Sequence, residues 1–364
     1  MCLEDQPSVD QAEKASDSMA SRHTVLVLGG GISGVTAAIS LAQRGVAVRL
    51  LERTPRLGGN ALRVCCKAIE GECQLCGGCL LGDALQEVAE VENITVETNA
   101  TVTRCERGDG GFVYQTSGSV QDRRVDAVVV ATGFQDVDAR TKGPYGWGHY
   151  EMVVTGREME EALLTQGRDA WDERLDRGVA FIQCVGSRDE HAGRGYCSQV
   201  CCRYAMRLAR YLQWRQPDVS ITVFKMDMQH GGRDTWPAWE GVRDGIRFVS
   251  GLPAVIRRAA DDPTLAEFLI DDTTGCETRR ETFGLVVLAN GIAPQTDARA
   301  VADLFGMTRD SYGFMATADD EVSTLEPGVF VAGCCQAPRS IAASAFHAEQ
   351  AVEACLGYLQ GAHG

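Results

Sequence analysis

Apolar runs and helical patterns alternate along the chain from residue 23 onward. His23 to Leu28 is an apolar, β-branched run that predicts a buried strand. Gly29, Gly30 and Gly31 follow it, and a helix is expected from about Ile32 to Arg44. Gly45 ends that helix and Val46 to Leu51 is the next strand, which completes a βαβ unit. A helix is expected from about Asp83 to Val91, with strands at 94–97, 101–106, 112–116 and 125–131. A second α/β unit begins with a strand at 178–183, continues through a helix from about Ser198 to Gln213, and reaches a strand at Ser220 to Lys225. A helix at 235–244 and strands near 246–250, 253–258 and 266–271 come next. Phe283 to Ala289 and Gly328 to Ala332 read as buried strands, and the last helix covers about 340–360. Residues 55–82 are rich in Gly and Cys and are expected to be loop.

This order predicts an α/β protein with a split Rossmann-type domain. The expected boundaries are 23–150 and 280–364 for the nucleotide domain and 151–279 for an inserted second α/β domain. Residues 1–22 are polar and acidic and are expected to be a disordered tail. No apolar run approaches the length of a membrane span, and the first residues lack the basic and apolar stretches of a secretory signal. The 364 residues carry 35 basic and 50 acidic side chains, a net charge of −15, which argues against nucleic acid as a partner. Fifteen cysteines are many for a chain without a secretory signal, and a cytoplasmic, reducing location makes them metal or redox groups before structural disulfides.

The first candidate site is the turn Gly29-x-Gly31-x-x-Gly34 between strand and helix, with Ser33 at the helix start. The glycines allow a tight turn, close approach to a pyrophosphate and close helix–strand packing. Glu52, beside Arg53, ends the second strand, where a carboxylate can bind ribose hydroxyls. Three later segments favour flavin over nicotinamide. They are Leu57-Gly58-Gly59, the strand and turn ending in Ala131-Thr132-Gly133, and the segment ending in Gly333. Such C-terminal segments normally end Gly-Asp, but Cys334 stands in place of the Asp. The helix that follows, near Ile341, can point its N-terminus at the flavin pyrimidine edge. The strand of the second unit runs into Cys184-Val185-Gly186 without a second glycine fingerprint, so no NAD(P) site is expected there.

The cysteines form two groups. Cys184, Cys197, Cys201 and Cys202 are spaced for an iron–sulfur cluster at a strand end and a helix start. Spacing alone leaves a redox disulfide, a structural zinc or inert thiols open. Cys65, Cys66, Cys73, Cys76 and Cys79 lie close together, and for these a second cluster, a redox dithiol and partner-facing cysteines all remain open. Cys105, Cys276 and Cys355 read as small apolar fillers, and His347 as a surface residue.

The run Ile182-Gln183-Cys184-Val185-Gly186-Ser187-Arg188, then Tyr196-Cys197-Ser198 and Val200-Cys201-Cys202-x-Tyr204-Ala205, closely resembles the A-type subunits of heterodisulfide reductase and their relatives. These include the flavoprotein subunits of quinone-interacting membrane-bound oxidoreductase and of sulfur-oxidising complexes. Gly333-x-x-Gln336-x-Pro338-Arg339 and Glu72-Cys73-x-x-Cys76 match as well, and the resemblance covers about residues 23–358. It implies a thioredoxin-reductase-like, two-dinucleotide-binding-domain fold with FAD on the first domain. It also implies a 4Fe-4S cluster on Cys184, Cys197, Cys201 and Cys202. The chain would transfer electrons as a homodimer within a larger cytoplasmic complex, with partner subunits providing any membrane attachment. Where relatives commonly carry Lys near the flavin this chain has Arg207 and Arg339, which keep the charge but change its hydrogen-bonding shape and put electron bifurcation in question. The rival reading is an NAD(P)H-dependent thiol–disulfide oxidoreductase using Cys73 and Cys76. A scaffold that has lost its cofactor is a third.

Overall fold

The computed structural model describes residues 23–167, 171–229, 245–272 and 277–361. The expected tail at 1–22 and the expected helix at 235–244 lie outside the described residues, as does Cys276.

The chain starts with β1 (Thr24–Leu28), α1 (Ile32–Gln43), β2 (Ala47–Leu51), α2 (Gly78–Glu90) and β3 (Ile94–Glu97). An antiparallel meander follows, made of β4 (Val102–Gly108), β5 (Gly111–Thr116) and β6 (Ser119–Val125). Then come β7 (Ala127–Val130) and β8 (Phe134–Asp136). The second unit contains β9 (Val153–Thr155), α3 (Gly156–Thr165), β10 (Val179–Val185), α4 (Cys201–Arg215), β11 (Ile221–Lys225) and β12 (Ile246–Ser250). It continues with β13 (Ile256–Arg258), β14 (Ala266–Asp272), β15 (Glu277–Phe283) and β16 (Leu285–Asn290). The chain returns through β17 (Ile292–Pro294), α5 (Ala298–Leu304), β18 (Val329–Val331) and α6 (Ile341–Gly361).

Two parallel five-stranded sheets result, ordered β18-β7-β1-β2-β3 and β12-β11-β10-β16-β9. A parallel strand with both faces covered reads as a continuous apolar run, and every residue of β7, β10 and β16 is buried. Burying a side chain such as Phe181 contributes roughly 2–3 kcal/mol. Helices α1 and α6 pack on each other through small residues, Ala38 and Ala42 on one and Ala348 and Ala351 on the other. The antiparallel pair β8–β17 carries the chain between the two units, outward at Phe134 and back at Pro294.

One expected boundary moves. A division at residue 280 gives β16 to the nucleotide unit, but β16 lies in the second sheet, parallel to β10 and to β9. Its run of apolar residues suits the centre of either sheet, so the pattern alone does not choose. The return to the first unit falls at β17.

Candidate functional site

A cleft of about 790 Å³ runs along the glycine turn and opens against the second unit. Its floor follows from the glycines. Gly29 has φ +109°, and a Cβ there would meet the Ala131 carbonyl oxygen at 2.5 Å. A Cβ on Gly34 would sit 1.7 Å from the Gly29 oxygen, so β1 and α1 meet only without side chains. A Cβ on Gly31 would meet nothing within 4 Å, so this position faces the cleft. No side chain caps α1 at Gly31, which leaves first-turn N–H groups to an anionic ligand.

Glu52 is buried at the end of β2 and closes this turn. Its carboxylate accepts from the Gly30 N–H at 2.7 Å and from the Thr54 N–H and hydroxyl, both at 2.8 Å. Arg53 pairs with Asp297 at 2.9 Å. Glu52, Arg53, Ser33, Gly59, Ala131, Thr132, Gly133, Cys334, Arg339 and Ile341 all line the cleft. Gly34, Gly58 and Gly333 stand behind its wall. Gly58 donates its N–H to the Gly30 oxygen at 2.7 Å, and Gly333 packs against Ser33.

His347 is buried, contrary to the surface placement expected from the sequence. Its Nδ1 accepts from the Gly333 N–H at 2.8 Å, so Nε2–H donates to the Glu321 carbonyl at 3.0 Å. The imidazole thus fixes the turn carrying Cys334. Burial, and next the positive Arg339, hold its pKa below 6.5. The unfolded chain therefore takes up this proton more readily than the folded one, and stability falls as pH drops below about 6.5 toward the lowered folded value. We expect urea unfolding to show this loss between about pH 7 and pH 5, and His347→Gln to remove that component.

The four cysteines of the second unit meet where β10 ends and α4 begins. Cys184, Cys201 and Cys202 are buried, and Cys197 is half-buried. The neighbouring Cys184 and Cys202, together with burial, raise Cys201 well above the ordinary thiol range. The nearness of Cys201 lowers Cys184, and it brings Cys202 down to about 7. Cys197 Sγ accepts from the Gln199 N–H at 3.3 Å and lies close enough to Cys184 and Cys202 to feel their charge. Three non-glycine residues around the group are left-handed: Cys184 (φ 58°), Arg188 (φ 55°) and Gln199 (φ 58°). Such conformations persist where the surroundings impose them. Here the Ser187 and Ser198 hydroxyls meet at 2.5 Å, Ser198 Oγ accepts from the Ile292 N–H, and Tyr196 donates to the Ile292 carbonyl at 2.8 Å. Arg188 is ion-paired with Asp227 beside the thiols.

Four thiols at a helix N-terminus are the donor chemistry of an iron–sulfur cluster. Among the described residues no three His, Cys, Asp or Glu side chains are arranged to hold a single metal ion. A cluster would make a different demand, one thiolate for each iron rather than several donors on one ion.

The other cysteine group is not assembled. Cys65 turns into the second core, and burial pushes its thiol up to about 12. Cys66, Cys73 and Cys79 are exposed, and only Cys76 of this group lines the cleft. Arg207 also lines the cleft, but its guanidinium donates to the carbonyls of Gln74 and Leu75, both at 2.7 Å. It braces the Cys73–Cys76 loop. Each charge-assisted bond is worth about 1.5–3 kcal/mol. We expect Arg207→Met to raise the alkylation rate of Cys76 at least roughly tenfold, read by mass spectrometry. Arg339 is likewise engaged, with the Gly333 and Ala337 carbonyls and with Glu321.

A family model described as FAD dependent oxidoreductase matches residues 24–101, the stretch that holds the glycine turn and Glu52. The A-type iron-sulfur subunit of a CoB–CoM heterodisulfide reductase from Methanopyrus kandleri is 26% identical over 88% of this chain and 62% of its own length. The A-type subunit of a heterodisulfide,ferredoxin reductase from Methanothermobacter thermautotrophicus is 32% identical over 65% of this chain and 37% of its own. The chain is similar in sequence, over most of its length, to A-type heterodisulfide reductase subunits. It spans about half to two thirds of the length of the first such relatives, 62% in one and 52% in another.

Among solved structures, thioredoxin reductase from T. acidophilum superposes with a TM-score of 0.62 at 16% identity, over 93% of this chain and 99% of that chain. The Lactococcus lactis enzyme gives 0.59 at 18% identity, over 93% and 100%. The fold is therefore that of the two-dinucleotide-binding-domain flavoproteins, and both family match and fold support FAD as the cofactor of the cleft. Nothing in the sequence marks Lys67, Arg157 or Glu160 as cleft residues, and Tyr204 enters there only within the cysteine motif; all four line the cleft. They come from the loop after β2, from α3 and from α4, and only the fold brings them together.

Proposed function

We propose that the chain is the FAD- and iron–sulfur-dependent electron-transfer subunit of a heterodisulfide-reductase-like complex. FAD would lie in the cleft, and a 4Fe-4S cluster would be held by Cys184, Cys197, Cys201 and Cys202. The observation that carries this reading is the shared helix α4. Cys201 and Cys202 open it, and Val200, Arg203, Tyr204 and Arg207 of the same segment line the cleft. One rigid element therefore fixes the spacing between the two centres. Tyr204 stands between them. Its hydroxyl donates to the Asn290 carbonyl at 3.1 Å, and burial, followed by the charge of Cys201, holds it well above the usual phenol range.

Bound flavin supplies chemistry that takes up an electron pair and releases single electrons. The chain's own residues do the rest. The N-terminus of α1 would hold the pyrophosphate, and Glu52 fixes the turn that leads to it. The N-terminus of α4 favours negative charge on the thiolates. Partner subunits would exchange electrons with this one in the cytoplasm, with the chain as a homodimer. No described helix is long and apolar enough to cross a membrane.

The test is anaerobic purification with flavin, iron and acid-labile sulfide measured per chain. One FAD with about four iron and four sulfide is expected. Flavin without iron overturns the relay and leaves Cys73 and Cys76 as the redox pair of a thiol–disulfide enzyme.

A further inference from the structure

Gln183, on β10, is 0% exposed, yet neither its amide nitrogen nor its amide oxygen has a hydrogen-bond partner among the described residues. No other described side chain leaves two polar atoms buried and unpartnered. A buried amide without partners is costly, and native proteins keep such a group where something further satisfies it.

Strand geometry gives the direction of the side chain. Val179 and Phe181 face the core that α4 covers, together with Ala289 of β16 and with Cys201 and Ala205 of α4. Ala180 and Ile182 face the opposite core. The pairing of β10 with β16 slips between Ile182 and Val185, and Val185 falls back on the Ile182 side. The left-handed residue at the slip is Cys184, with φ 58°. The alternation therefore holds through Gln183, which points, like Phe181, to the α4 side of the sheet. It directly precedes Cys184 and enters the core that contains Cys201. The amide is thus set among the proposed ligands, and it bonds none of their thiols.

We propose that Gln183 sets the potential of the iron–sulfur centre, its amide NH2 group donating to an inorganic sulfide of a cluster held by Cys184, Cys197, Cys201 and Cys202. This rests on the cluster reading given under the proposed function and adds to it a residue that is not a ligand. The amide has a donor end and an acceptor end, and a negatively charged cluster selects the orientation with NH2 toward it. Reduction adds an electron to the cluster. A hydrogen bond donated to its sulfur steadies that charge and raises the potential.

The test compares the whole wild-type chain with Gln183→Met and Gln183→Leu, each purified anaerobically with iron, sulfide and FAD measured first. Both substitutions remove the amide and keep most of its volume, so the core is little disturbed. The cluster potential is read by redox titration followed by electron paramagnetic resonance. Pulsed hyperfine spectroscopy of the reduced cluster, before and after exchange into D2O, then reports the protons bonded to its sulfur. Expected are iron and sulfide equal to wild type and a reduction equilibrium lower by about tenfold, which is about 59 mV for a one-electron couple. One exchangeable-proton coupling present in wild type should be missing, a loss that a merely structural role does not cause. If only one variant keeps its iron, that variant decides. Either readout unmoved in a variant with full iron overturns the proposal; both unmoved would make a buried water the partner of the amide. Loss of iron from both variants overturns it as well, because a residue that only tunes the potential is dispensable for assembly. A wild-type chain without iron overturns the cluster reading beneath it instead.

Discussion

Replacing Cys201 with serine should strip the protein of iron while leaving its flavin in place. Cys201 is the member of the thiol group whose titration both Cys184 and Cys202 displace most strongly. It is also the first residue of α4, buried at the helix start. Serine keeps the size and the hydrogen-bonding capacity, so the fold survives. It removes the soft sulfur donor on which the cluster depends. We expect iron and sulfide to fall from about four per chain to below roughly one, with FAD within about a tenth of wild type. Cys73→Ser serves as the control, because Cys73 is exposed and lies away from the thiol group; its iron content should equal that of wild type. Equal iron in Cys201→Ser and wild type would remove the cluster from these residues.

The second large effect concerns the glycine turn, where two neighbouring substitutions should separate binding from folding. Gly31→Ala places a methyl group in open space on the cleft side. The backbone there has φ −76°, which alanine adopts freely. The fold should hold, and FAD affinity should fall about a hundredfold or more, because the methyl group stands where a pyrophosphate approaches. Gly34→Ala drives its methyl group to 1.7 Å from the Gly29 oxygen, and that neighbour is backbone. It should lose FAD and also about 2–3 kcal/mol of stability through overpacking. Urea denaturation of the two apoproteins, set beside flavin titration, distinguishes them. Equal stability in both would mean that α1 can slide away from β1.

Much of this site is legible in the sequence because its parts are local. The glycine spacing, Glu52 at a strand end and the cysteines around Ser198 each lie within a short run whose residue types carry the chemistry. The parallel strands are equally plain, since burial on both faces leaves continuous apolar runs such as those of β7 and β16. Other features are hidden for physical reasons. Helix α3 has a polar outer face, but its capping box was available to be read: Thr155 accepts from the Glu158 N–H, and Glu158 accepts from the Thr155 N–H. Strand β15, ETRRETF, is largely charged because Phe283 is the buried core residue among its described side chains, while Arg279 and Glu281 beside it pair with each other. The Lys67–Glu160 pair joins residues far apart in the chain, and no local pattern announces it. His347 reads as a surface residue because it is a lone polar side chain on the last helix; α6 turns it inward and leaves its apolar neighbour Phe346 exposed.

The crowding of thiols at the head of α4 bears on how the protein must be made. Cys202, lowered to about 7, is substantially thiolate at neutral pH, and Cys201 and Cys184 are near enough for the three to shift one another. That is the arrangement in which an oxidant closes a disulfide. A disulfide between Cys184 and one of the helix cysteines withholds two of four donors from iron. Oxygen met during synthesis, before assembly is finished, would therefore divert chains into a folded form that iron supply alone does not recover, and a reductant would have to act first.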